Sequence, residues 1–401
     1  MPKIIGLDVG QGYAVAVCLE RFPVNIQQHF KTIRKNREFY KLKCDRSSVE
    51  KLLQLQPDVI VLEPSGYWYS AFWERVARVN DIEVCWIGHT DLAGLRKSYG
   101  FTNKRDDEDA LSLAASYFDE RFITSQGEKR YLSHYRTSEI EQLRSLFLAK
   151  EQLAKLRSGM VAQIKQRLSL EFPEMSGKQF KISSVRGFTP FLGWLSHTHN
   201  APRYDRLYNT SIAHELKIEI SEYTKDHALV VTGIEKRIAI ALIEIEYLIS
   251  CPEFAPYIEV FNQFGFGTNL KALLLLHIYP FDKFLVEGKP HVEYELSKSD
   301  KLVKRHYSLR KFQAFLGLSY TMKQSGKDSN KLVRSFHGST MMRSHLYAWA
   351  VCQICPKDRN PLLSERYQQL RETTKGKDSI IRILFKATRM LFYELNKKLL
   401  T

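Results

Sequence analysis

Cysteine is scarce. Six residues scattered through 401 cannot make a disulfide framework, which excludes a small stapled extracellular scaffold. Long apolar runs are also missing. The richest stretch, 238–249, is interrupted by Glu244 and Glu246 and falls short of the ~18 residues that a membrane span needs. The first residues, Met1-Pro2-Lys3-Ile4-Ile5-Gly6, enter a strand pattern directly, without the leader of a secretory signal. Metal motifs with nitrogen or sulfur ligands are absent. Cys352-Gln-Ile-Cys355 has no second pair and reads as two partly buried thiols rather than a zinc site. The twelve histidines show no ligand spacing. There are no internal repeats. These absences predict a protein of a reducing, intracellular compartment that does not enter a membrane.

What is present is enough for a packed core: 44% hydrophobic and 12% aromatic residues, which excludes a disordered chain. The length predicts two or three domains. Charge divides the chain unequally. The net charge is +16 overall, but residues 1–130 carry only +1 and residues 131–401 carry +15. A basic region of this size suits a polyanion, nucleic acid first among them. A merely solvated basic surface is the bland alternative.

The first 120 residues pattern as an α/β unit. Segments 4–8 and 13–19 flank Gly10-Gln11-Gly12 as a hairpin, and 24–30 alternates as a third strand. A helix is expected at 47–55, capped by Ser47 or Ser48, then a strand at 58–63 closed by Pro64. Another helix is expected at 67–79, a strand at 82–87 and a helix at 107–118. The order β-β-β-α-β-α-β-α fits a ribonuclease-H-like fold. From 137 to 171, Ile140, Leu143, Phe147, Leu153, Leu156, Met160, Ile164 and Leu168 recur at helical steps, ending before Pro173. A second such run covers 234–249. Two long helices around an aromatic-rich insert (172–230) suggest an antiparallel coiled-coil arm. The remaining part mixes short helices with glycine turns. The expected domains are therefore 1–130, 131–255 and 256–401: α/β first, then a helical linker, then a mainly helical part.

Two constellations could carry chemistry. The first is acidic: Asp8 ends the first strand, Glu63 ends the fourth, and Asp106 and Asp109 open the helix after the fifth. In a ribonuclease-H-like sheet the first and fourth strands are neighbours, so Asp8 and Glu63 can converge. A spacing of three puts Asp106 and Asp109 on one helix face. Like charges so gathered call for a cation, and oxygen-only ligands favour magnesium or manganese. Asp107 and Glu108 read as an acidic helix start favoured by the dipole. The second constellation surrounds Ser325 in Tyr320-Thr-Met-Lys-Gln-Ser-Gly-Lys327, with Lys323, Lys327, Lys331 and Arg334 placed to hold a phosphate. Taken alone, a Ser-Gly turn is usually only a turn. The aromatic run Tyr67-Trp68-Tyr69, with Phe72 and Trp73, reads as core.

Together these residues match a family. Ile5-Gly6-Leu7-Asp8, Leu62-Glu63-Pro64-Ser65-Gly66 and Lys104-Arg105-Asp106-Asp107-Glu108-Asp109-Ala110 resemble the Asp-Glu-Asp-Asp transposases of the IS-one-ten type, relatives of the Piv invertases. Phe264-Gly265-Phe266-Gly267, Phe315-Leu316-Gly317-Leu318, Gln324-Ser325-Gly326 and Gly338 with Arg343 follow in family order. Ser339 stands where the family usually has Asn. The resemblance implies a RuvC-like first domain, a coiled-coil linker and a C-terminal transposase domain. It implies that the four acids hold magnesium, that Ser325 attacks DNA to leave a phosphoserine, and that Arg343 belongs with the nucleic-acid-binding cations. Donor and target DNA, a structured bridge RNA and further copies of the chain would be its partners, in the cytoplasm of a bacterial or archaeal cell, at the nucleoid. Three other readings stay open. They are an actin-like ATPase (which needs a second phosphate loop that the chain lacks), a junction-resolving nuclease without serine chemistry, and a non-catalytic RNA-binding derivative.

Overall fold

A computed structural model describes the chain except residues 65–66, 124–128, 130–131, 133–136, 297–301, 324–330, 335–337, 357, 375 and 401. It divides into two compact units, Met1–Thr137 and Ser138–Thr401. The first is mixed α/β around a five-stranded sheet; the second is mostly helical.

In the first unit, β1 (Ile4–Gly10) and β2 (Tyr13–Leu19) form the expected antiparallel hairpin. Residues 24–30 are not a strand. They open helix α1 (Ile26–Lys35), capped by Asn25, whose side chain accepts a bond from Gln28 N. Ile26, Phe30 and Ile33 keep a helical step toward the core, and a seven-residue alternation cannot outweigh a good cap. The third strand is β3 (Tyr40–Lys43), followed by α2 (Arg46–Gln54). Asp45, not Ser47 or Ser48, caps α2, and the Ser48 hydroxyl instead accepts Lys43 N at 2.9 Å. Then come β4 (Val59–Leu62), α3 (Tyr67–Val79) and β5 (Glu83–Trp86). An additional helix, α4 (His89–Ser98), precedes α5 (Asp106–Phe118), so the acidic helix is the second after the fifth strand. Of the aromatic run at 67–73, Trp73 is fully buried, whereas Trp68 and Tyr69 are exposed.

The sheet order is β3-β2-β1-β4-β5, with β1, β4 and β5 parallel. β1 and β4 are neighbours in register Leu7↔Leu62, and α5 packs on β1 and β2.

In the second unit, α6 (Ser138–Glu171) runs its full expected length, roughly 50 Å at 1.5 Å per residue. Its partner α11 (Glu222–Ile249) begins twelve residues earlier than the apolar pattern indicated, capped by Ser221. The two are antiparallel. Ile140, Leu143 and Phe147 share a cluster with Ile245, Leu248 and Ile249, and Ile164 and Leu168 share another with Ala228 and Val231. Between them, short helices α7 (Pro173–Ser176), α8 (Pro190–Leu195), α9 (Pro202–Asn209) and α10 (Ile212–Glu215) fold back on the pair. Phe172, Phe191 and Tyr204 seal that end.

The larger core gathers α12 (Ala255–Gln263), α13 (Thr268–Ile278), α14 (Tyr307–Phe315), α15 (Thr340–Trp349), α16 (Pro361–Thr373) and α17 (Gly376–Leu400) around Phe261, Phe281, Phe312 and Phe392. Two hairpins interrupt it: β6 (Val292–Leu296) with β7 (Leu302–His306), and β8 (Tyr320–Lys323) with β9 (Lys331–Arg334). Cys352 is exposed and Cys355 half-buried, so only the second fits the expected partly buried thiol. Among the described residues no helix is long and apolar enough to cross a membrane.

Candidate active site

The acidic site is built at the carboxyl ends of β1 and β4. Leu7 pairs with Leu62 in parallel register, so Asp8 and Glu63 come next to each other. Glu63 follows the last residue of β4, whereas Asp8 does not end its strand as expected but lies within β1, still paired with Val15 of β2. Gly6 brings in the third element. A Cβ at Gly6 would lie 1.9 Å from Ala110 O and 2.5 Å from Ala114 N, so the backbones of β1 and α5 touch there and no side chain fits. That contact carries the first turn of α5, with Asp106 and Asp109, toward Asp8.

The electrostatics record the convergence. The Asp8 carboxyl is pushed up to about 7, first by burial and then by the charges of Asp109, Asp106 and Glu63, with Lys104 opposing. Asp109 is likewise raised, by burial above all, although Arg96 on α4 holds its Oδ1 at 2.5 Å and works the other way. Three partners that the sequence did not suggest stand around the acids. His89 Nδ1 bonds Glu63 Oε1, Arg96 bonds Asp109, and the Tyr13 hydroxyl donates to Asp106 Oδ2 at 2.9 Å. The signal for His89 was available in principle. Strand ends β4 and β5 lie together, Ile87 N bonding Leu62 O, so a polar residue two positions later comes beside Glu63.

The neighbouring acids Asp107 and Glu108 lie, as expected, in the first turn of α5. Asp107 is half-buried and pairs with Arg34 at 3.4 Å. Glu108 is buried, one carboxyl oxygen without a hydrogen-bond partner, and burial raises its pKa. It is thus a helix-start acid that is buried, and the cost of that burial is borne inside the unit.

The donor set fits a hard divalent cation in kind: oxygen atoms only, with the Asp8 carboxyl raised first by burial and then by neighbouring negative charge that such a cation would offset. Among the described residues, no three His, Cys, Asp or Glu side chains stand close enough to hold one as they are. Glu63, Asp106 and Asp109 each face a protein partner: His89, Tyr13 and Arg96.

The serine constellation is described only in its frame. Ser325 and Lys327 lie outside the described residues. Lys323 and Lys331 are the last paired positions of the β8–β9 hairpin, and Arg334 pairs with Tyr320 at its base. Two glycines hold that base. Gly338 has φ +87°, and a Cβ on it would meet Ala314 O at 2.2 Å and Gly317 Cα at 2.7 Å. The turn before the hairpin and the turn after it are therefore in backbone contact, which only glycine permits. Arg343 braces the crossing, donating to Gly317 O at 3.0 Å and to Thr340 Oγ1 at 3.2 Å. Ser339 caps α15 by accepting Met342 N at 3.1 Å, which Asn at that position would do equally well.

Comparison with known families gives one match here: a model described as Transposase IS116/IS110/IS902 family covers residues 299–368. That segment contains the β8–β9 hairpin, both glycines of its base, Ser325 and Arg343. The match supports DNA transposase or recombinase activity and, with it, DNA as substrate. No curated protein matches the chain.

Proposed function

We propose that this chain is the transposase of an insertion sequence, with the four acids as a magnesium site in a ribonuclease-H-like domain and Ser325 as the nucleophile. The observation that carries the reading is the placement of Asp8 and Glu63 on neighbouring parallel strands with the acidic first turn of α5 brought in by the backbone contact at Gly6, joined to a transposase match over the serine segment. Magnesium, when held by Asp8, Glu63, Asp106 and Asp109, supplies charge stabilisation for the attacking and leaving oxygens.

The chain's own residues do the rest. Ser325 Oγ forms a bond to a DNA phosphorus as a phosphodiester P–O bond breaks, and the departing strand end leaves as a hydroxyl with the serine proton. One phosphate ester replaces another, so rejoining needs no outside energy source. Lys323, Lys327, Lys331 and Arg334 hold the phosphate. His89 and Arg96 position Glu63 and Asp109. Arg343 joins the cations that hold the phosphate, bracing the base of the hairpin through Gly317 and Thr340. Pairing with a bridge RNA would choose the DNA sites, and acids of one copy would act with the serine of another in an oligomer. The basic 131–401 region suits backbone contacts with sequence read by pairing.

The test is covalent capture. Incubation with magnesium and labelled terminal DNA should give an adduct that survives denaturation and maps to Ser325. Nicking without an adduct would favour the junction-resolving nuclease. RNA co-purifying with the chain and matching the DNA beside its gene would support the guide.

A further inference from the structure

The insert between the two long helices holds a second feature, in a different segment from the hairpin. From 175 to 204 there are thirty residues without an Asp or Glu. Within them, Lys178, Lys181 and Arg186 are all exposed on one loop. The loop is pinned at both ends to the helix pair. Arg157 on α6 donates to Phe180 O at 3.0 Å and to Glu235 on α11 at 2.7 Å. Thr189 returns to Glu235 through its N–H at 2.6 Å and its hydroxyl at 2.8 Å. Between these ties, Ser183 N bonds Phe188 O and Gly187 N bonds Ser183 O, closing a turn that carries Arg186.

The helices extend the same charge. Lys165 and Lys236 lie 5.1 Å over the rings of Phe180 and Phe188. Residues 152–170 of α6 contain no acid, and residues 227–243 of α11 contain one, Glu235. Glu235 is fully buried and occupied by Arg157 and Thr189, so it shows no negative charge to solvent. Among the described residues, Lys178, Lys181, Arg186 and Lys236 form no ion pair. A surface purged of acids on three segments, with its one carboxylate spent inside as a tie, is an arrangement for a polyanion.

We infer that residues 177–188, with Lys165 and Lys236, form a docking surface for the phosphodiester backbone of duplex DNA, separate from the Ser325 hairpin. The inference rests on the transposase reading for its choice of DNA. The duplex offers one negative charge per ~1.7 Å of its axis, and each phosphate neutralised steepens the salt dependence of binding by about 0.9. A pinned loop loses little freedom on binding, so the contact is made without much ordering cost.

The test is binding of the full chain to a short labelled DNA duplex over a range of salt. Replacing Lys178, Lys181 and Arg186 together by Gln should lower the slope of log affinity against log salt by about 2–3 and weaken binding roughly tenfold or more at physiological salt. Lys178→Arg, Lys181→Arg and Arg186→Lys together should keep the parent slope, which separates charge from any folding defect. Lys31→Gln, Lys35→Gln and Lys51→Gln, exposed cations of the first unit, should leave it unchanged. An unchanged slope in the loop variant, or an equal fall in the first-unit variant, overturns the inference while leaving serine capture intact. An RNA duplex outcompeting DNA on the parent but not on the loop variant overturns the choice of DNA. Failure of the parent both to bind DNA and to form the adduct would sink the transposase reading and this inference with it.

Discussion

In residues 1–137 charge of one sign is drawn inward, while in residues 138–401 it is pushed outward. Asp8, Glu108 and Asp109 are raised mainly by burial, and Asp8 has three carboxylates acting on it. Other buried carboxylates are tied in pairs, Asp119 to Arg121 and Tyr99 in the first unit, and in the second Glu235 to Arg157 and Thr189 and Glu171 to Arg167 and Ser221. Buried and satisfied acids hold a structure together. Buried acids set against one another cost stability and persist where a bound cation or a reaction uses them. The same residue type is thus a tie in the second unit, and in the first both a tie, at Asp119, and a candidate site, around Asp8.

The comparison breaks most sharply at the serine. Ser325→Ala should lose every trace of covalent DNA adduct on a denaturing gel while DNA binding persists; an adduct mapping to Ser329 or Ser339 would mean that the wrong hydroxyl was chosen. On the acidic side, Asp8→Ala should abolish strand transfer but keep the fold and the charge-driven binding of the basic unit. If it instead lost DNA binding, the division of labour between the units would be wrong.

Next in size is a packing effect. Gly6→Ala forces a methyl group against the Ala110 carbonyl and the Ala114 amide of α5. It should destabilise the first unit by about 3 kcal/mol, read as faster amide exchange in β1 and α5 with the second unit unaffected. Uniform loosening of both units would mean that they do not unfold separately.

A pH titration sharpens the contrast further. The unfolded Asp8 releases its proton near 3.8, and the folded one holds it to about 7. Across that window the unfolded chain binds fewer protons, so the metal-free first unit loses stability as pH rises, by at most about 1.4 kcal/mol per unit, and levels off above 7. Asp8→Asn should flatten the profile, and magnesium should restore stability at the alkaline end. A parent profile that rises through this window would contradict the repulsion. The smallest effect belongs to Asp107→Ala, which removes a partly exposed pair with Arg34. It should change stability by under about 1 kcal/mol and strand transfer little; damage equal to that of Asp109→Ala would reassign the acids.

Local chemistry alone was enough for the long elements. The steps of Ile140, Leu143 and Phe147 placed α6 to within a residue at its start, and the β-branched run before Glu63 placed β4. It failed at 24–30, where a short alternation concealed a capped helix, and at Ser47 and Ser48, where the capping oxygen came from Asp45. Cap geometry depends on which of several nearby oxygens the backbone reaches, and composition does not report that. Glu108 was legible as a first-turn acid, but its burial was not, because that depends on what packs against α5.

For the site, the sequence by itself determined which residues are candidates: two acids on neighbouring strands, two at one helix start, and a serine between cations in a segment that matches a transposase family. Their types follow from the chain, as does the +15 of residues 131–401. Only the tertiary structure decided who stands beside them. His89 reaches Glu63 because β5 lies next to β4, and Arg96 reaches Asp109 because α4 packs on α5. Asp8 resists ionising because Gly6 lets α5 lie against β1. Each of these is a contact between segments that are distant in sequence. Such contacts are set by strand order and packing distance, which no local pattern encodes.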